Sequence, residues 1–359
     1  MRYAHITGWG MAVPDRVLTN HDLAQMVDTS DEWIRTRTGI RERHVAGPED
    51  TTASLATRAA LQALETAQVR PNEVDLIIVA TSSPEYNNFP ATASLVQDAI
   101  GATRAGAFDL AAACSGFIFA VNMAAQTIRS GALDTVLVIG TETLSRIVDW
   151  QDRNTCVLFG DGAGAFVLQA SSEPGGVLSG VMRSDGSGAE TLYIPAGGSR
   201  LPASAETVAQ RLHFVRMNGR EVFRFATRVM ADATREAVAA AGWSLEELDL
   251  VIPHQANVRI IEAAAKRLKM PMERFVVTLD RYGNTSTASI PITACEAARA
   301  GRLRPGDKVV MVGFGGGLTW GAIAVQWSGP LTTPKARRAV RRPYLWWKRM
   351  RWRRSVRAG

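Results

Sequence analysis

The chain has 359 residues, 46% of them hydrophobic, enough for a large buried core and for two domains or one double-sized unit. Its three cysteines, Cys114, Cys156 and Cys295, form no CxxC pair and have no histidine at ligand spacing, which argues against a disulfide framework and a zinc site. The formal charge of +7 hints at nucleic acid, but 11 Lys and Arg lie between Lys335 and Gly359, leaving 30 basic against 34 acidic residues in the body.

The N-terminal "MRYAHITGWGMAVP" lacks the apolar region of a signal peptide, and no run is apolar for the length of a membrane span, so the expected location is the cytoplasm. An alanine-rich helix is predicted over 53–67, leading into "RPNEVDLIIVATS", where Asp75 precedes a short buried strand. In "FDLAAACSGFIFA", Phe108 to Ala120, helical periodicity follows Cys114. The free N–H groups and dipole of a helix start would favour a thiolate there, bringing the thiol from about 8.5 toward neutrality. "SGALDTVLVIGTE" carries Asp134 and another strand, and "FGDGAGAFVL" is strand-like on both sides of its glycines. A second alanine-rich helix, Val229 to Ala241, leads into "SLEELDLVIPHQA", with Asp249 and a strand that ends before His254. "RYGNTSTASI" puts Gly283 and Asn284 in a turn before a small-residue helix start. "AGRLRPGDKVVMVGFG" carries Asp307 and a strand, and in "VGFGGGLTWGA" Gly315, Gly316 and Gly317 precede a further strand-like run. Neither glycine-rich loop has the strand, glycines, helix order of a dinucleotide fingerprint.

These elements contain a duplication. The segments around Asp75 and Asp249 align without a gap, and the spacings from Asp75 to Asp134 and from Asp249 to Asp307 differ by one residue. Alternating strands and helices predict α/β units with a largely parallel sheet covered on both faces, here as two halves packed as a pseudo-dimer. Cys114 and Asn284 fall at comparable places in the two halves, where strand ends and loops would converge on a site.

Taken singly, each candidate has an ordinary structural reading. Cys114 can be a small buried hydrophobe, His254 a satisfied core histidine, Asn284 a cap or turn residue, and the glycines a turn. Together, a thiol, a neutral imidazole, a carboxamide donor and backbone N–H groups are what a thioester Claisen condensation requires.

The motifs "DTSDEWIRTRTGIRERH", "AACSGF", "FGDGAGA", "PHQANVRI", "LDRYGNTSTASIP" and "FGGGLTWG" closely resemble β-ketoacyl-acyl-carrier-protein synthase III, over about Ile6 to Trp327. The resemblance implies a thiolase-like α/β fold, duplicated halves giving a layered α-β-α-β-α pseudo-dimer, divided at 1–172 and 173–328. It implies decarboxylating condensation of a short acyl-CoA with malonyl-acyl carrier protein, initiating type II fatty acid synthesis through an acyl-cysteine, with no cofactor and no metal. Cys114 would be the nucleophile, His254 and Asn284 the holders of the malonyl thioester oxygen, and the N–H groups of Cys114 and Gly316 the oxyanion hole. Trp33 and Arg153 would sandwich the adenine of CoA, with Thr29, Arg37 and Asn257 nearby and Gly219 and Phe223 along the pantetheine tunnel. Arg224, Arg259, Lys266 and Arg267 match positions that dock acyl carrier protein. Phe89 matches a residue that reaches into the neighbouring subunit's acyl pocket, implying a homodimer.

The chain departs from the resemblance in two places, the long segment Pro195 to Phe214 and the Arg/Trp-rich extension over 329–359. The extension is expected to be disordered in isolation, with membrane-surface, nucleic-acid and carrier-protein contacts weighed against a solvated tail of no role. The alternatives for the whole are a relative that primes a polyketide, acyl transfer without condensation, and a basic nucleic-acid or membrane-surface binder built on the same scaffold. The intact Cys, His and Asn set speaks against the last.

Overall fold

The computed structural model describes residues 1–330, and the basic segment from Lys335 onward, with the contacts weighed for it, lies outside them. One sheet contains β1 (Tyr3–Ala12), β2 (Leu76–Ala80), β3 (Gly106–Leu110), β4 (Thr135–Glu142) and β5 (Gly162–Ser171), in the order β1-β5-β4-β2-β3. The other contains β6 (Gly176–Ser184), β7 (Leu250–Pro253), β8 (Lys308–Gly315) and β9 (Thr319–Gln326), in the order β7-β8-β9-β6. Six helices frame the site: α1 (Asp31–Thr38), α2 (Thr52–Ala67), α3 (Gly116–Arg129), α4 (Gly219–Ala240), α5 (Val258–Leu268) and α6 (Ser289–Arg299).

Helix α2 covers the outside of the first sheet, α4 covers the outside of the second with α5 packed against it, and α3 and α6 lie between the sheets touching both. The result is the expected five-layer α-β-α-β-α stack. The middle layer is why α3 and α6 are apolar on nearly every face. Phe117, Ile118, Val121, Ile128, Ile290 and Ala294 are buried in one cluster with Ile78, Phe166, Ile252 and Val309, so the two halves share a core. On the outside, α2 starts in a Thr51–Ser54 capping box and buries Ala56, Ala59, Ala60 and Ala63. Those alanines let it press on β1, where a Cβ on Gly8 would stand 2.2 Å from the Ala63 carbonyl oxygen.

The duplication has a physical counterpart. Asp75 Oδ2 accepts the backbone N–H of Thr135 at 2.9 Å, and Asp249 Oδ2 accepts that of Lys308 at 2.8 Å, so each aspartate ties the start of its strand to the strand beside it. The expectation of a largely parallel sheet is corrected. β2 is parallel to β3 and β4, and β7 to β8, but β1–β5, β4–β5, β8–β9 and β6–β9 are antiparallel. For β8 and β9 the reason is connection length: only 316–318 join them, too few for the crossover that parallel neighbours need.

Candidate active site

Each inner helix is entered through a short 3-10 turn at a strained residue. Ala113, before Cys114, has φ 45°, and Ser286, two residues after Asn284, has φ 46°. Neither is glycine, and such left-handed residues cost about 1–3 kcal/mol and cluster at functional sites. The two strained turns lie against each other, so the duplicated entry points of α3 and α6 face one another across the molecule.

Cys114 is 7% exposed. The expected thiol near neutrality is overturned: burial pushes it up to about 12, with the Ser286 hydroxyl opposing and the nearby Glu142 carboxyl adding to the rise. A thiolate stripped of water loses more than the helix start returns, and the position was legible in the sequence whereas its depth was not.

His254 follows β7 directly. Its backbone N–H donates to the Val312 carbonyl at 2.8 Å, and its Nδ1 is 2.7 Å from the Ser289 hydroxyl, which also reaches the Ser286 carbonyl at 2.8 Å. The Phe314 ring meets the imidazole edge to face at 5.2 Å. Burial lowers the ring to about 3, so it is neutral at working pH. With Nδ1 held by Ser289, Nε2 is the nitrogen left for substrate.

Asn284 is fixed along its backbone by Leu158, whose carbonyl accepts its N–H at 2.8 Å, and by the Gly160 N–H, which its carbonyl accepts at 3.0 Å. Its Oδ1 accepts the Ser286 N–H at 2.9 Å, leaving the side-chain NH₂ as the outward donor. Behind this segment stands Arg43, fully buried, donating to the Leu18 carbonyl, to Asn20 Oδ1 at 2.9 Å and to the Val157 carbonyl at 2.9 Å. Burial brings this guanidinium down to about 10. Its hold on Val157 steadies the stretch that pairs with Asn284.

Cys114, His254 and Asn284 line one cavity, with Phe223, Gly219 and Asn257 among its walls. Leu158, Met217 and Gly219 also line a wider outer cavity that reaches Trp33, so the two form a route from the surface to the thiol. The glycine loop closes the inner end. A Cβ on Gly315 would stand 2.5 Å from the Cys114 backbone nitrogen, which makes Gly315 the close-approach residue; Gly316 sits one step further, against the Leu192 carbonyl.

The remaining expected residues are placed as follows. The Arg153 guanidinium lies over the Trp33 ring at 4.9 Å and donates to the Asp28 carbonyl at 2.7 Å, so the pair stacks on itself and an adenine ring could enter only if Arg153 lifted. Asn257 caps α5 through the Arg259 N–H and donates to the Arg37 carbonyl at 2.9 Å, while the Arg37 side chain is exposed. Thr29 Oγ1 is buried without a partner among the described residues. Arg224 on α4 and Arg259, Lys266 and Arg267 on α5 are exposed on the outer helical layer. Phe89 is 83% exposed. Sequence reasoning missed Glu142, Arg43, Ser286 and Ser289; a lone acid ending the buried run "VLVIGTE" was the one visible signal.

A duplicated five-layer α/β fold whose halves bring a cysteine, a histidine and an asparagine to one buried cavity defines a thiolase-fold condensing enzyme. The family described as 3-oxoacyl-[acyl-carrier-protein] synthase III matches residues 108–186, and its C-terminal part matches 238–327. A β-ketoacyl-[acyl-carrier-protein] synthase III of Symbiobacterium thermophilum is 61% identical over 327 residues, covering 91% of this chain and 99% of that one. The crystal structure of 3-oxoacyl-[acyl-carrier-protein] synthase III from Aquifex aeolicus is 48% identical, with a TM-score of 0.84 over 90% of this chain and 100% of the other. The priming β-ketosynthase of the R1128 polyketide pathway is 36% identical, with a TM-score of 0.85 over 92% of this chain and 97% of the other. The chain belongs to the β-ketoacyl-[acyl-carrier-protein] synthase III family. It is an acyltransferase, and its reaction is the initiating condensation of fatty acid synthesis. Among the described residues no group of three or more His, Cys, Asp or Glu is placed to hold a metal, and no helix is long and apolar enough to cross a membrane.

Proposed function

We propose that Cys114 takes the acyl group from a short acyl-CoA and passes it to the carbanion formed when malonyl-acyl carrier protein loses carbon dioxide. The observation that carries this is the convergence of Cys114, His254 and Asn284 on one buried cavity. Acyl transfer forms the Sγ–acyl bond as the bond to the CoA sulfur breaks. In the second half, the malonyl C–CO₂ bond breaks and its electron pair enters the thioester, whose oxygen accepts hydrogen bonds from the Asn284 NH₂ and from His254 Nε2. Donation from Nε2 requires the Ser289 hydroxyl to turn its single hydrogen from the Ser286 carbonyl, 2.8 Å away, to Nδ1 at 2.7 Å. The N–H groups of Cys114 and Gly316 then take the charge of the tetrahedral intermediate. The route uses no cofactor beyond the CoA thioester.

Trp33, Arg153, Thr29, Arg37, Asn257, Gly219 and Phe223 are assigned to CoA along the outer cavity. Arg224, Arg259, Lys266 and Arg267 are assigned to an acidic carrier, and Phe89 to a second copy of the chain in a cytoplasmic homodimer. The test is acetyl-CoA followed by mass analysis of the Cys114 peptide: an acetyl adduct is expected, absent in Cys114→Ala. No adduct from any straight or branched acyl-CoA overturns the reading. The similarity to a polyketide-priming synthase favours one second reading, a primer of another pathway, which product masses from the same acyl-CoA panel distinguish.

A further inference from the structure

Glu142 ends β4 beneath the site, with no exposure to solvent and no ion pair among the described residues. Its two oxygens are surrounded by donors. The Ser82 N–H reaches both at 3.1 and 3.0 Å, the Ser83 hydroxyl reaches Oε2 at 2.6 Å, and the Thr81 hydroxyl reaches it at 3.3 Å. The Thr287 hydroxyl lies 3.0 Å from Oε1. Two of these hydroxyls already accept elsewhere, Ser83 from the Thr143 N–H at 2.8 Å and Thr81 from the Ser83 N–H at 3.1 Å, so their hydrogens go to Glu142. Such a shell suits an ionised carboxylate at rest. Ser286, held at positive φ, opens the turn whose Thr287 N–H and hydroxyl reach Glu142 Oε1 at 3.4 and 3.0 Å, and that turn packs against the one carrying Cys114, so the Ser286 hydroxyl is placed to act on both the carboxyl and the thiol.

From this chain of Cys114, Ser286 and Glu142 we infer that Glu142 stores the thiol proton for the lifetime of the acyl-enzyme. On acylation the Cys114 S–H bond breaks and its proton passes to Ser286 Oγ as Ser286 gives its own hydrogen to a Glu142 oxygen. The Sγ–acyl bond forms, the bond to the CoA sulfur breaks, and CoA leaves with the electron pair and takes a proton from solvent. On condensation the new carbon–carbon bond forms, the Sγ–acyl bond breaks, and the Cys114 thiolate recovers the stored proton by the reverse path. One solvent proton is consumed per turnover, which balances the loss of the malonyl carboxylate as carbon dioxide. Burial raises the Glu142 carboxyl above its ordinary value, which suits it to accept a proton. It also keeps negative charge behind the thiol until a substrate arrives.

The inference rests on the acyl-cysteine reading above, and the test separates the two. Protein is mixed with acetyl-CoA in weakly buffered solution near pH 7 with an indicator dye, and acetylation of Cys114 is counted by mass in the same samples. Free CoA, with a thiol near 8.5, leaves protonated at that pH. A stored proton therefore appears as uptake of about one proton per acetyl group, and a proton handed directly to CoA as no uptake. Wild type is expected to take up about one, and Glu142→Gln and Ser286→Ala about none per acetyl group formed. If Glu142→Gln does not fold, Ser286→Ala decides, together with a protonated-carboxyl infrared band that appears on acetylation of wild type. Acetylation without uptake in wild type, or uptake retained in the variants, overturns the proton store alone. No acetylation at all overturns the reading beneath it.

Discussion

Replacing His254 by Asn should flatten the acid side of the stability curve. The imidazole sits at about 3 in the folded protein against 6.5 when exposed, because burial penalises its charged form. Between those values the unfolded chain binds a proton that the native chain refuses, so stability rises with pH across the window and falls as pH drops from 6.5 toward 3. At about 1.36 kcal/mol per pH unit, the group alone removes about 2 kcal/mol by pH 5 and about 3 kcal/mol by pH 4, relative to pH 7. Glu142 and Asp161, both raised by burial, push the other way in the same range, so wild type alone does not isolate the effect. The difference between wild type and His254→Asn does, because every other titrating group cancels. Urea unfolding followed by tryptophan fluorescence at pH 7, 5 and 4 should show the difference moving in the variant's favour by those amounts. A constant difference would mean that native His254 takes up a proton at its ordinary value, and the neutral-imidazole mechanism would fail.

Gly315→Ala forces a Cβ to 2.5 Å from the Cys114 nitrogen, so the nucleophile must move; a displacement approaching 1 Å costs on the order of 10²-fold in acylation rate. Gly186→Ala, where a Cβ meets nothing within 4 Å, should leave the rate unchanged, and equal effects would refute the steric argument. Trp33→Ala should raise the KM for acyl-CoA about tenfold with kcat intact, since an aromatic contact of this kind is worth roughly 1–2 kcal/mol; a loss in kcat alone would remove Trp33 from the CoA route. Ser289→Ala frees the imidazole from its 2.7 Å contact and should slow decarboxylation more than acylation, both followed in single-turnover mixing. Equal slowing would reduce Ser289 to packing.

Much of this architecture is written locally. The aspartates at 75 and 249 announce two equivalent strand pairs, and the sequence places Cys114 and Asn284 at matching helix entries, where the structure has the twin turns at Ala113 and Ser286. The antiparallel strands differ from the expectation because hydrophobic runs show burial and carry no direction; the brevity of 316–318 reveals it for β8 and β9 alone. The thiol's rise to about 12 was invisible for a related reason. A helix start can be read from neighbouring residues, whereas desolvation depends on walls from both halves. Glu142, Arg43 and Ser289 escaped because their partners are 61, 114 and 35 residues away, beyond any spacing rule.

The central claim is that acyl transfer and decarboxylation share one cavity but divide among its residues. Wild type, Cys114→Ala, His254→Ala and Asn284→Ala are each treated with acetyl-CoA, then mixed with malonyl-acyl carrier protein while carbon dioxide release and product mass are followed. The account predicts no acetylation in Cys114→Ala, and acetylation without carbon dioxide or 3-ketoacyl product in the His254 and Asn284 variants. Carbon dioxide release at the wild-type rate in either of those two would contradict it.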